Sequence, residues 1–545
     1  ASTFTQLTEL SQNGLYGISS MTDRQLYADA LVNINKRFGD DWTFQANIGA
    51  SISDMSYDAM KNRGPIADGL ITEEKPGLAN VFNIQNLSNS PKTTRLQEGW
   101  REQTQSVFGS AEVGFKGTYY LTLTARNDWP SQLAGPHSNR KSFFYPSVGL
   151  SVVLSEIIPN MPENLEYIKL RGSYASVGTA FERYIANPMY QWNASGLSWN
   201  TQTQYPMYDL KPELTNSFEV GLTVRFLKWF NLDATYYHTN TLNQTFNPQI
   251  STGSGSSEIY IQSGDVLNQG CEFTLGFNKD WNKFNWSSTY TFSTNMNRIE
   301  SLAENVLNAA TGEYFSVDLL DMNGLGLAHF LLMEGGTLGD LYSLADYKYD
   351  SNGMIVVNED GTITPQTITD AKNYVKLGSV LPKANMSWRN DFRIGDFNFG
   401  FLITARLGGI VYSSTQAVLD YYGVSEASAA ARDAGGVFIN GGDCIDANKW
   451  FSSVGGSNPL PQEYTYSGTN VRLQEASIGY TIPRKKLGDV CDLHLSLVGR
   501  NLWMIYNKAP FDPEAVATTG NYYQGIDHFM MPSLRNFGFN VRVTF

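Results

Sequence analysis

From residue 536 onward, apolar and polar residues alternate without a break. Phe537, Phe539, Val541, Val543 and Phe545 share one parity; Asn536, Gly538, Asn540, Arg542 and Thr544 share the other. Side chains of an extended strand alternate between two faces, so this stretch predicts a strand with one apolar and one polar side. The same period recurs along the whole chain. Trp42, Phe44, Ala46, Ile48, Ala50 and Ile52 stand against Thr43, Gln45, Asn47, Gly49 and Ser51; Phe218, Val220, Leu222, Val224 and Phe226 stand against Glu219, Gly221, Thr223 and Arg225. The pattern predicts about fifteen strands, at 26–34, 42–52, 107–115, 119–126, 143–154, 167–177, 218–226, 231–240, 271–277, 284–294, 384–392, 397–406, 471–482, 493–503 and 535–545. In 471–480 the apolar phase slips from Val471 and Leu473 to Ala476, Ile478 and Tyr480. A β-bulge near 474–476 would restore one apolar face.

The connections alternate in length. Short turns follow Phe38, Phe115, Phe226, Phe277, Phe392 and Ile482, whereas stretches such as 54–102, 300–380 and 407–470 separate other strands. A soluble sandwich has no reason to sort its loops this way. Outer-membrane β-barrels do so, with short periplasmic turns and long extracellular loops. The first strand leads into a short turn and the last follows a long loop, so both run toward the short-turn end, which requires an odd number of strands. Glu112, Arg126, Glu219, Arg225, Glu272, Arg406, Arg500 and Arg542 lie on the polar parity. A charge facing lipid at the midplane costs about 2–4 kcal/mol, so these side chains are expected inside the barrel. Apolar-parity aromatics at strand ends, such as Trp42, Phe115, Tyr119, Phe226 and Trp281, suit interfacial girdles.

Composition agrees. The chain has 545 residues, with 17% charged and 13% aromatic and with 49 glycines; about 25% charged is usual for a globular protein. Mean hydropathy is −0.28, and no apolar run reaches the 18 residues a membrane helix needs. A barrel needs no such run, because only alternate residues meet lipid. The net charge of −13 argues against nucleic acid as a partner.

Five stretches, in order, resemble the SusC/RagA family of TonB-linked outer-membrane transporters of Bacteroidota. They are Phe144-Tyr-Pro-Ser-Val-Gly-Leu-Ser151, Leu170-Arg-Gly-Ser-Tyr-Ala-Ser-Val-Gly178, Lys211-Pro-Glu-Leu-Thr-Asn-Ser-Phe-Glu-Val-Gly221, Val471-Arg-Leu-Gln-Glu-Ala-Ser-Ile-Gly-Tyr480 and Gly499-Arg-Asn-Leu-Trp503 with Asp512-Pro-Glu514. Most are barrel and turn signatures, so they identify a scaffold rather than a cargo. The resemblance implies a barrel of about 22 strands, an N-terminal plug within it, a SusD-like lipoprotein lid outside it, TonB acting through the plug, and a dimer of transporter–lid pairs in the cell outer membrane. No plug domain or TonB box is found in these residues. We therefore expect residues 1–25 to belong to an extracellular loop, residues 26–545 to form the C-terminal part of the barrel, and the remaining N-terminal part to supply the plug and the first strands. An open sheet in hydrocarbon would leave unpaired edges, so the last strand must pair outside this sequence.

Candidate chemistry is sparse. Asp350-Ser-Asn-Gly353 and Asn358-Glu-Asp-Gly361 suggest either calcium loops or polar turns. An EF-hand frame would put Lys348 or Val356 at its first position, and neither can be a ligand there. Trp129, Trp192, Trp199, Asp420-Tyr-Tyr422 and Asn521-Tyr-Tyr523 are read as loop aromatics that stack on sugar rings, hold peptide side chains, or pack within the loops and against a lid. His137, His238, His329, His494 and His528 are scattered, and Cys271, Cys444 and Cys491 form no framework. No catalytic, metal or cofactor residues are assigned, and the substrate residues are unknown. The expectation is the barrel wall of a TonB-dependent importer of oligosaccharides or oligopeptides. The alternatives are a passive porin-like channel, or an outer-membrane barrel or adhesin without transport.

Overall fold

In the computed structural model, the described residues are 14–66, 70–72, 75–76, 82–89, 92–134, 141–185, 192–193, 198–199, 211–246, 260–307, 314–518 and 523–545. Fifteen strands form one sheet in chain order: β1 (Leu15–Phe38), β2 (Trp42–Pro65), β3 (Thr94–Phe115), β4 (Tyr119–Pro130), β5 (Phe143–Val153), β6 (Leu165–Thr179), β7 (Glu213–Phe226), β8 (Phe230–Phe246), β9 (Ile261–Trp281), β10 (Phe284–Ser301), β11 (Ala384–Ile394), β12 (Phe397–Leu407), β13 (Asn470–Ile482), β14 (Asp492–Asn507) and β15 (Asn536–Thr544). Every neighbouring pair is antiparallel, as the alternation of short and long connections requires.

Register converts the sequence period into two continuous faces. Phe44, Val113, Leu121, Leu150, Gly172, Val220, Tyr236 and Cys271 lie side by side across eight strands. Phe399, Ile478, Leu497 and Phe539 continue the apolar face at the far end. Neither a second sheet nor a helix covers it among the described residues: Leu150 is 60% exposed, Leu497 58% and Phe539 65%. The opposite face runs Gln45, Glu112, Thr122, Gly149, Ser173, Glu219 and Tyr237. The sheet is the wall of a transmembrane antiparallel β-barrel, with lipid on its apolar side.

The apolar face has the height of a bilayer. On β2 it begins at Trp42 and ends at Ile52, eleven residues in all, which matches the roughly 9–11 that a tilted strand needs to cross. The next outward residue, Asp54, binds Arg101 of β3 at 2.7 Å. At the short-turn end an aromatic belt closes the face. Ring centroids stand 4.5 Å apart for Trp42–Phe115, 5.2 Å for Phe226–Phe230, 4.9 Å for Phe230–Phe277, 5.4 Å for Trp281–Phe284 and 4.8 Å for Phe397–Tyr480. Two indoles within the apolar face find acceptors there: Trp286 donates to Asn390 and Trp388 to Ser288, each at 3.0 Å, since an indole N–H in lipid cannot turn to water.

Two sequence expectations need correction. Residues 15–25, read as loop, continue β1 and pair with Met55–Pro65. Much of 54–102, also read as loop, belongs to β2 and β3. Both hairpin arms are 24 residues long, about 80 Å of strand, and project beyond the bilayer. Outside lipid no apolar period is needed, so the ladder continues through Ser19, Ser20, Thr22 and Asp23 without a hydrophobic signature. Residues 1–13 lie outside the described residues. The expected bulge is present: the pairing of β12 with β13 skips from Leu402–Glu475 to Ile403–Leu473, leaving Gln474 out of the ladder.

An arginine replacing Val148, which faces outward halfway along β5, should destabilise the barrel by about 2–4 kcal/mol. An arginine replacing the adjacent Gly149, whose added Cβ would meet Thr122 and Ser173 inside at ordinary contact distances of 3.8 and 4.0 Å, should cost far less. Folding titrations in lipid vesicles compare the two; equal costs would refute the assignment of faces.

Candidate functional site

The inner face is coated with Ser, Thr and Asn, and several of its charges are paired, some within a strand and some across strands. Arg171 of β6 binds Asp233 of β8 through two hydrogen bonds of 2.8 and 3.0 Å and also donates to Thr223 and Thr235. It reaches its second neighbour because Gly221 of β7 lies between them: a Cβ there would fall 2.4 Å from the guanidinium. Arg126 donates to Asp128 and Ser106, each at 2.7 Å, and Tyr145 donates to the same Asp128. Glu475 receives Arg500 at 3.1 Å and lies 3.7 Å from Arg389, which also holds Asp391 at 2.8 Å. Of the other charges predicted inside, Glu112 accepts from Thr122, Arg225 lies over the Tyr167 ring, and Arg406 donates to the Val380 carbonyl. A polar recess of about 460 Å³ opens near the short-turn end among Arg389, Asp391, Arg393, Asn398, Glu475 and His494.

Above the wall, three connections fold together: 302–383, 408–469 and 508–535. The first carries a four-stranded sheet of Leu319–Leu325, Ala328–Met333, Asp340–Ser343 and Val375–Ser379. The second supplies α1 (Ser414–Tyr421), α2 (Glu426–Asp433) and α3 (Ala447–Val454), started by Ser413, Ser425 and Asp446, whose side chains accept the free amides of the first turn. Ile410–Ser413 pairs antiparallel with Thr465–Ser467 and parallel with Ile526–Asp527 of the third connection. One core joins them: Phe330 and Leu341 from the first, Tyr412, Trp450, Val454 and Tyr464 from the second, and Ile526 from the third, all nearly inaccessible. The sequence reading of 300–380 as one long loop missed this core, because its apolar residues come from three distant segments and follow no single period.

This block is tied to the inner face of the wall. Asn297 of β10 accepts the Leu338 amide at 2.7 Å, and Ile299 exchanges backbone hydrogen bonds with Gly335 and Gly336. Val266 and Ile299, on the inner side of β9 and β10, are buried with Leu320 and Leu332. Arg472 of β13, itself buried, binds Asp512 at 2.8 Å and Glu514 at 3.2 Å. The Asp-Pro-Glu stretch singled out in the sequence is therefore the anchor of the third connection. Burial opposes charge on Asp512, but hydrogen bonds from Arg472 and Ser533 outweigh it and hold the carboxyl below the usual range. The three loops form one folded unit, a roof, against the inner face at the long-loop end of the wall.

The sequence candidates divide. The Asp350 carboxylate accepts the Asn352 and Met354 amides at 2.8 and 2.9 Å, and Asp360 accepts from the Thr362 amide and hydroxyl. The chain's own donors lower both pKa values. Asn440 hydrogen-bonds the Ile355 amide and carbonyl, and Lys449 reaches the Asp360 carbonyl, so these two turns are seams between loops. Asp420, Tyr421 and Tyr422 lie on or directly after α1 rather than in an open loop. Asp420 is buried and accepts from Gln416 at 2.7 Å, and burial raises its pKa. The two tyrosines are exposed, with rings 5.1 Å apart. Tyr523 sets its ring edge against Phe330. Trp129, read as a loop residue, is in β4 opposite Gln105 at the outer edge of the lipid-facing side, because strand pairing continues past Arg126. The side chains of Trp192 and Trp199, and residues Asn521 and Tyr522, lie outside the described residues, as does His137. His238, His329, His494 and His528 each meet a different partner: Gln269, Asp321, Thr481 and Ser414. The described residues hold no group of three or more potential metal ligands, and all three cysteines are free thiols.

A family model described as TonB dependent receptor-like, beta-barrel matches residues 2–378, more than half of the chain. TonB-dependent receptor P3 of Formosa agariphila is 23% identical, covering 92% of this chain and 51% of the relative. TonB-dependent receptor P26 of the same organism is 24% identical over 99% of this chain and 55% of its own length. The chain thus spans about half the length of these curated relatives, which are named as receptors rather than enzymes. Among solved structures, the RagAB peptide transporter superposes with a TM-score of 0.72 at 16% identity, over 97% of this chain and 56% of that one. The RagAB peptide importer in its open-open state gives 0.72 at 14%. At that identity the likeness is one of fold.

Replacing Arg472 by methionine leaves Asp512 a buried carboxylate without its cation, a loss of about 3–5 kcal/mol. Protease cleavage within 508–518 should rise while the barrel stays intact. Because the folded pKa of Asp512 is depressed, its contribution is complete above the ordinary carboxylate value of 3.8 and fades as pH falls below it and through the folded value. Wild-type protection should follow that course, and the methionine variant should show no such dependence.

Proposed function

Because the chain belongs to the TonB-dependent receptor-like β-barrel family, we propose that it forms most of the barrel wall of an energy-driven importer in the cell outer membrane, taking up oligosaccharides or oligopeptides. Its fifteen strands cross the membrane with the short turns in the periplasm and the long loops outside. Residues 1–25 belong to the outer side, residues 15–25 as the far end of β1. An N-terminal part of the same transporter supplies a plug, contacts TonB, and pairs with the edges of β1 and β15. A SusD-like surface lipoprotein covers the roof, and cargo is captured between the two; transporter and lid work as a dimer of pairs.

The observation that carries this reading is the roof. Three loops with a common dry core, pinned to the inner face by Asn297 and Arg472, are a costly ornament for a passive porin but a natural platform for a partner and for a captured ligand. RagAB, whose fold this chain shares, is described as a peptide transporter, which favours peptide within the cargo class.

Uptake of labelled oligopeptide and oligosaccharide mixtures should be measured in cells carrying the complete transporter, with and without a protonophore. Import of one mixture should stop when the proton gradient collapses or when the transporter gene is deleted. Uptake that survives loss of the gradient would favour the porin; no transporter-dependent uptake of either mixture would favour the adhesin.

A further inference from the structure

On the outward face of the wall, one described cation stands between two indoles. Lys279 lies on the lipid-facing row of β9, directly opposite Trp286 of β10. Its ammonium stands 3.2 Å from the centre of the Trp229 ring and 4.9 Å from that of Trp281, and both indoles are exposed. The turn that brings Trp229 there is tight, with Leu227 and Lys228 both in the left-handed region. No carboxylate among the described residues pairs with Lys279: its neighbour Asp280 lies on the other face and binds Arg393 at 3.1 Å. Another belt lysine differs in this respect. Lys486 lies near the Tyr480 ring but is neutralised by Asp396 at 2.9 Å.

Farther up the same face is an apolar depression of about 550 Å³, lined by Val220, Leu222, Ala234, Tyr236, Phe273 and Phe292. It forms because Ala234 and Cys271 are small residues among large ones. Phe273 is six residues from Lys279 along β9, about 20 Å of strand and, at a tilt near 45°, roughly 14 Å of depth. That is close to one leaflet of a hydrocarbon core about 30 Å thick.

We propose that these two features form one phospholipid site, with a headgroup phosphate on Lys279 between the two indoles and an acyl chain in the depression above. At belt depth a cation with no carboxylate partner among the described residues is best matched by the phosphate layer of the leaflet, and the groove distinguishes this lysine from others in the belt. The site requires only that this face lie in lipid. It does not depend on import or cargo, so its failure and that of the importer reading are separable.

The test uses the complete transporter in phosphatidylcholine nanodiscs doped with phosphatidylglycerol carrying a photoreactive acyl chain. Adducts mapped by mass spectrometry should concentrate in segments 220–236 and 271–292. K279Q should reduce them about five-fold, the weight of one lysine near an anionic surface. A234W, which fills the groove, should reduce them as well, whereas K116Q should not. Millimolar inorganic phosphate should leave the adducts in place. Adducts spread evenly around the wild-type belt would overturn the proposal without recourse to any variant. So would an unchanged yield in K279Q, or displacement by inorganic phosphate, which would make this an ion site rather than a lipid site.

Discussion

Within hydrocarbon no water is available to a backbone N–H or C=O, and each unsatisfied group costs several kcal/mol. A chain without a long apolar helix can meet that constraint only by pairing strand with strand. Everything regular in this protein follows from it. Strands must run antiparallel beside their chain neighbours, so turns at one end can be two or three residues long. Side chains must alternate, so one row faces lipid and the next faces inward. A skipped residue must be absorbed locally, as Gln474 is, or every later side chain would face the wrong medium. The register from Phe44 to Cys271 and from Phe399 to Phe539 expresses this one rule.

The same rule explains how much was legible in the sequence. Where lipid touches the chain the pattern is strict, and the fifteen strands, the odd count and the bulge could all be read from it. Where the strands leave the bilayer the rule lapses. Residues 15–25 and 54–65 remain paired, but Ser19, Thr22 and Asp23 on one arm and Asp58 and Lys61 on the other show no apolar rhythm. The roof was illegible for a different reason. Phe330, Tyr412, Trp450 and Ile526 are each unremarkable in their own stretch, and only the fold brings them together. The anchor was half legible: Asp512-Pro-Glu514 stood out as a family-like stretch, but nothing local pointed to Arg472, some forty residues earlier, as its partner. Lys279 gave no signal, since its meaning depends on two indoles from opposite sides of a hairpin turn.

Wall and roof are stabilised by different physics. The wall has almost no dry interior; its apolar residues face outward, and its order comes from the ladder and from polar contacts within. The roof is built like a small soluble domain, with capped helices, short sheets and a buried aromatic core. Such a unit cannot rest on a barrel by apolar contact alone, because the inner face offers little apolar surface. Polar anchors therefore carry the junction: Asn297 to an amide, Arg406 to a carbonyl, Arg472 to two carboxylates. Val266 and Ile299 supply the apolar exception, at the outer ends of β9 and β10 where the loop leans in.

The inner wall satisfies part of its charge internally. Arg171 directs its guanidinium at Asp233 and two threonines, and Glu475 lies between Arg389 and Arg500. Charges engaged in this way are satisfied within the wall, and much of the surface between them is hydroxyl and amide, which exchanges readily with water. Glycine makes the arrangement geometrically feasible. At Gly221 the missing side chain lets an arginine cross a whole strand, so the pair binds second neighbours that the backbone ladder alone would never join. A side chain at that position would break the crossing and leave Asp233 without its cation, held by Thr223 alone. The polar face is thus cross-linked laterally, across a strand as well as along the backbone ladder.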